Sequence, residues 1–125
     1  MATSNIYTDR LLTYWDASLM GTLPNATQRA EALNAICGDV VAMEAVVEAG
    51  SLKSLAFYSK ACCMCQCAAA MLVERFRGSS VEDALAFTEE EMRTMLGIEI
   101  PAARQTCVFL PLQCLRELCG QTKDT

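Results

Sequence analysis

The chain contains no histidine. That absence removes Ser-His-Asp and Cys-His catalysis and every zinc site of the Cys2His2 type, so any metal must be held by thiolates and carboxylates. Positive charge is scarce as well. Ten lysines and arginines stand against 15 aspartates and glutamates, a formal net charge of −5, and the densest basic grouping is Arg75 with Arg77. A nucleic-acid groove needs a positive stripe that this chain lacks, so no nucleic-acid partner is expected. The acidity suits solubility, or a partner with a basic face. No apolar run approaches the roughly 20 residues that span a bilayer, which speaks against a membrane role. The opening residues Met1-Ala2-Thr3-Ser4-Asn5 lack the basic stretch and apolar core of a secretory signal, so a cytoplasmic, reducing setting is expected.

Cysteine, by contrast, is abundant, with eight in 125 residues. In a reducing compartment such density reads as metal binding or thiol chemistry, with a disulfide framework as the alternative that the even count allows. The length fits one domain, 1–125, and 53% apolar with 20% charged residues suits a packed globular core.

Residues 5–19 carry Ile6, Leu11, Leu12, Tyr14, Trp15 and Leu19 at helical spacing, which predicts an N-terminal helix ended by Gly21 and Pro24. Residues 27–34 are ambiguous between a short helical turn and a loop. Residues 40–47 are β-branched and apolar, residues 53–59 alternate, and Glu48-Ala49-Gly50-Ser51 between them reads as a hairpin connection. A helix is expected over about 65–77, with Ala68, Ala69, Leu72, Val73 and Phe76 as its buried stripe and Gly78 as a left-handed cap. Ser80-Val81-Glu82-Asp83 and Thr88-Glu89-Glu90-Glu91 resemble capping boxes opening two short helices. A last helix should run over about 107–119, stopped by Gly120, with Pro111 fitting only in its first turn. The order gives an α+β fold: an N-terminal helix, a small antiparallel sheet, then several helices.

Three thiols sit at element junctions. Cys37 lies in the turn Ile36-Cys37-Gly38-Asp39, where Gly38 permits an unusual backbone and close approach of a ligand. Cys62 ends a strand-to-helix loop within Cys62-Cys63-Met64-Cys65-Gln66-Cys67. Cys107 begins a helix whose dipole favours a thiolate. Thiolate is both nucleophile and soft-metal ligand, so these positions suit sulfur transfer or metal binding, and Asp39 is a weak, exchangeable carboxylate partner. Cys67, Cys114 and Cys119 fall among apolar neighbours and read as core. Arg104 reads as a solvated charge rather than a thiolate activator.

With Cys37-Gly38-Asp39, Ala56-Phe57 before Cys62, the stretch Glu74-Arg75-Phe76-Arg77-Gly78-Ser79-Ser80-Val81-Glu82-Asp83-Ala84, and Pro101 before Cys107, the chain resembles the iron–sulfur cluster assembly scaffold family of IscU or NifU N-terminal type. The resemblance spans nearly the whole chain. It implies that Cys37, Asp39, Cys62 and Cys107 hold iron as a nascent [2Fe–2S] cluster, or zinc in the isolated protein. It implies further that a cysteine desulfurase delivers persulfide sulfur, to Cys107 or Cys62, and that the cluster passes to apo-proteins. The implied role is that of a carrier, not an enzyme.

The departures are specific. Asp16-Ala17-Ser18-Leu19 replaces the family's Asn-Pro-Arg-Asn, and Thr106 stands where the IscU branch has a histidine. Ile100-Pro101-Ala102-Ala103-Arg104 replaces the Leu-Pro-Pro-Val-Lys chaperone motif, which argues against dedicated chaperone handover. The insertion of the zinc-dependent sulfurtransferase branch is missing. Register favours Cys62 as the middle ligand, with Cys63 or Cys65 as alternatives, or as a fourth thiolate in place of the histidine. Two rival readings remain: a zinc-dependent sulfurtransferase, and a regulatory or interaction relative that keeps a structural zinc.

Overall fold

The structure, a computed structural model, describes residues 20–36 and 38–121. The N-terminal helix expected over residues 5–19, and Cys37, lie outside the described residues.

Strands β1 (Gln28–Asn34), β2 (Asp39–Glu48) and β3 (Ser51–Lys60) form an antiparallel sheet in the order β1-β2-β3. Helices α1 (Cys63–Phe76), α2 (Val81–Ala86), α3 (Glu89–Leu96) and α4 (Gln105–Gly120) follow, the last preceded by a 3-10 turn at Ala102–Arg104. The α+β class is as the sequence order predicts. Among the described residues no helix is long and apolar enough to cross a membrane.

Residues 28–34 form a strand, which corrects the helical or loop reading. Ala30 and Ala32 are buried while Arg29, Glu31 and Leu33 are not, so the alternation is there. It was written in alanines, which carry little β signal of their own. Their small size leaves room for α4, which packs on β1, β2 and α1.

The β2–β3 hairpin closes on Ala49 and Gly50, both at positive φ (53° and 76°), the pattern of a type I′ turn. Glycine takes that conformation freely and alanine does not, at a cost of roughly 1 kcal/mol. Ala49→Asn, which creates Asn-Gly, should raise stability by up to about 1 kcal/mol. Urea unfolding of the two proteins checks this; an unchanged midpoint would contradict it.

Helix α1 is buried from Met64 through Val73 without a break, wider than the predicted stripe because its residues are small or apolar on every side. Arg77 ends it and Gly78, at φ 86°, turns the chain back. The Gly78 amide donates to the Leu52 carbonyl (2.7 Å) and the Leu52 amide to Ser79 (2.8 Å), tying the helix exit to the start of β3. Ser80 accepts from the Asp83 amide (3.0 Å), whereas Thr88 and Glu91 form the full reciprocal capping box.

Pro111 is not in the first turn of the last helix. That helix begins at Gln105, two residues earlier than expected, so Pro111 lies inside it at the seventh position. A proline there has no N–H for the carbonyl four residues back, a loss of about 3 kcal/mol in an isolated helix. The buried face carrying Val108, Leu112, Leu115 and Leu118 outweighs that loss.

Candidate metal centre

The site lies where three element ends meet at one end of the sheet. Asp39 is the first residue of β2. It is paired with Asn34 across a hairpin whose Gly38, at φ 77°, donates its amide to the Asn34 carbonyl (2.7 Å). Cys62 follows β3 and is the N-cap residue of α1, where its side chain makes no capping hydrogen bond. Cys107 lies in the first turn of α4 and is buried.

The ligand atoms of Asp39, Cys62 and Cys107 all lie within 4.8 Å of one another, and theirs is the only such grouping among the described residues. Asp39 is nearly buried, and its Oδ2 has no hydrogen-bond partner. An unpaired buried carboxylate oxygen is costly in a protein interior unless a cation meets it. Two thiolates and one carboxylate suit zinc or iron, with the carboxylate the weaker, more exchangeable arm.

Of the residues singled out from sequence, Asp39, Cys62 and Cys107 are brought together, and Cys37 lies outside the described residues. Cys63 and Cys65 take no part in the grouping. The Cys63 sulfur lies 3.9 Å from that of Cys67, and Cys65 is fully buried in the core. Arg104 is exposed, as a solvated charge should be.

Cys67, Cys114 and Cys119 are core residues, as expected. Cys114 stands two turns behind Cys107 on α4 and points its thiol at the Ala30 and Val41 carbonyls (3.5 Å each). Burial pushes the Cys67 and Cys114 thiols up to about 12 and Cys119 to about 11. Well below the ordinary thiol value of ~8.5 these thiols are protonated in both folded and unfolded chains, and stability is unaffected. Between about pH 9 and 11 the unfolded chain loses protons that the folded chain keeps. Stability then falls by at most about 1.4 kcal/mol per pH unit for each thiol. Urea midpoints should drop over that range, and less steeply in Cys114→Val; identical slopes for variant and parent would contradict the assignment.

Comparison with known proteins places the chain in a family. Residues 6–119 match the family described as the NifU-like N terminal domain. The chain belongs to that family. A curated relative, the iron–sulfur cluster assembly scaffold protein IscU of Thermotoga maritima, is 30% identical over 93 residues. That alignment spans 74% of this chain and 66% of the relative, just under two thirds of its length.

Two crystal structures share the fold. One is a NifU-like N-terminal protein from Brucella abortus, with a TM-score of 0.77 and 18% identity over 96% of each chain. The other is a candidate iron–sulfur cluster assembly scaffold for the SUF system from Fervidobacterium islandicum, with a TM-score of 0.74 and 19% identity. It is matched over 91% of this chain and 96% of its own.

Proposed function

We propose that this NifU-type chain is an iron–sulfur cluster assembly scaffold. On this reading Asp39, Cys62 and Cys107, with Cys37 as the fourth ligand, hold iron and sulfide and release the finished [2Fe–2S] cluster to apo-proteins. The observation that carries it is the gathering of two thiols and an unpaired buried carboxylate within 4.8 Å from sequence positions far apart. The scaffold name of the Thermotoga relative supports it.

Sulfur enters as persulfide. The thiolate of Cys107 or Cys62 attacks the outer sulfur of a cysteine desulfurase persulfide; the desulfurase thiolate leaves, and the scaffold thiol carries the new S–S bond. What the chain itself contributes is ligation, shielding and release, as a carrier does. Asp39 is the arm that lets go first, because carboxylate binds these borderline metals less firmly than thiolate. A reducing cytoplasm would keep the thiols available for this chemistry.

Three ligand atoms this close also fit a single four-coordinate zinc, which favours a zinc-dependent sulfurtransferase as the second reading. Anaerobic incubation with ferrous iron, cysteine, a cysteine desulfurase and a thiol reductant, which supplies the electrons that turn persulfide sulfur into sulfide, separates the two. A visible chromophore with matched iron and sulfide is the expected result. A colourless protein that keeps one zinc and still accepts persulfide would overturn the scaffold reading in favour of the second.

A further inference from the structure

We propose that Asn34 is a positioning residue of the metal centre: its side chain fixes the hairpin turn that presents the Asp39 carboxylate to the ion. This rests on the scaffold reading above and adds to it a residue that never touches the metal.

Asn34 ends β1 and Asp39 begins β2, and the two are paired, so residues 35–38 form the turn between them. Burial does not hold that turn. Ala35, Ile36 and Gly38 are all exposed, Ile36 to 97%. Two hydrogen bonds to Asn34 close it instead. The Gly38 amide donates to the Asn34 main-chain carbonyl (2.7 Å), and the Ile36 amide donates to the Asn34 Oδ1 (3.1 Å). The second bond is an Asx turn, in which a side-chain oxygen receives the amide two residues on. Any residue supplies the first bond. The second needs Asn or Asp, with Ser and Thr as weaker substitutes.

Asp39 depends on that turn for its aim. Its Oδ2 receives no hydrogen bond from the protein, so the direction of that oxygen follows from where the backbone enters β2. The carboxylate must still meet the sulfurs of Cys62 and Cys107 within 4.8 Å. Those sulfurs are carried by the ends of other elements, Cys62 at the start of α1 and Cys107 in the first turn of α4. Removing the Asn34 Oδ1 cuts one of the two ties of the turn, one chain position after which Asp39 begins. The centre should then lose its carboxylate arm and keep these two thiolates.

The test uses the full chain with Co2+ as a spectroscopic probe of the centre. Asn34→Ala should weaken Co2+ binding about 10-fold, the lower end of what loss of a ligand's outer partner costs. At saturating Co2+ it should also weaken the intense d–d bands of a four-coordinate ion, while thiolate-to-cobalt charge transfer persists. Asn34→Asp, which keeps the acceptor, should restore both affinity and bands. Asp39→Ala should show the same altered bands as Asn34→Ala, and combining the two should cost no further affinity. A purely structural Asn34 would lower the urea midpoint of the metal-free chain and leave the saturated spectrum unchanged, which overturns the inference. So does a further loss of affinity in the double variant, because Asn34 would then act by a route other than Asp39. Either result leaves the scaffold reading standing. A parent chain that shows no thiolate-to-cobalt absorption would instead remove the metal centre itself, and this inference with it.

Discussion

Cys107→Ala is expected to weaken zinc or ferrous iron binding by at least ~100-fold, because loss of mere outer partners of a metal ligand already costs about 10–100-fold. Its thiol is one of only three described ligand atoms that converge, so no other described group replaces it. Cys119→Ala makes the control: another buried thiol on the same helix, outside the grouping. Competition titration with a chromophoric chelator measures both. Equal affinities for the two variants would remove Cys107 from the centre. The same loss is expected for Cys62→Ala, and Cys63→Ala should not reproduce it.

The second large effect concerns Asp39, whose carboxylate the proposed centre would pair with a cation. Its Oδ2 is buried without a hydrogen-bond partner, and such a group costs about 1–3 kcal/mol. Asp39→Asn removes the charge at nearly constant shape. The amide still leaves a polar atom unpaired, so the metal-free variant should recover only part of that cost and be more stable than the parent by about 1 kcal/mol. The parent, in contrast, should gain more from metal: at 100 times the dissociation constant a ligand adds about 2.7 kcal/mol. Urea unfolding with a chelator and with excess Zn2+ gives all four numbers. A metal-free variant less stable than the parent would show that Asp39 is already satisfied by the protein.

Most of the fold was legible because its signals are local. Thr88 and Glu91 announce a helix start, Gly78 announces an end, and Ala49-Gly50 between two apolar strands announces a hairpin. The first strand was hidden because its inward residues are alanines, whose preference is helical; pairing with β2 overrides it. The start of α4 was hidden because Pro111 argued for a later beginning, whereas burial of the helix face decides the matter.

The candidate site was legible in its residue types and its resemblance, to the extent that Asp39, Cys62 and Cys107 stand out in the sequence and come together in the fold. The role of the crowded loop was not. Whether Cys63 faces the ligands or the core depends on rotation about one helix turn, which the sequence of six residues does not encode. The contact with Cys67, at the fourth position beyond, was the available signal.

Asp39, Cys62 and Cys107 enter the centre from the start of a strand, the end of the sheet and the start of the last helix. An ion held there, as proposed, would therefore staple segments whose outermost ligands, Asp39 and Cys107, stand 68 positions apart in the chain. On the proposed reading cargo and architecture would share one free energy: a loaded molecule would be a cross-linked one, and an empty molecule would open more readily at that end of the sheet. Any cellular factor that samples such opening, whether protease or folding helper, would sort empty carriers from full ones without recognising the cargo at all.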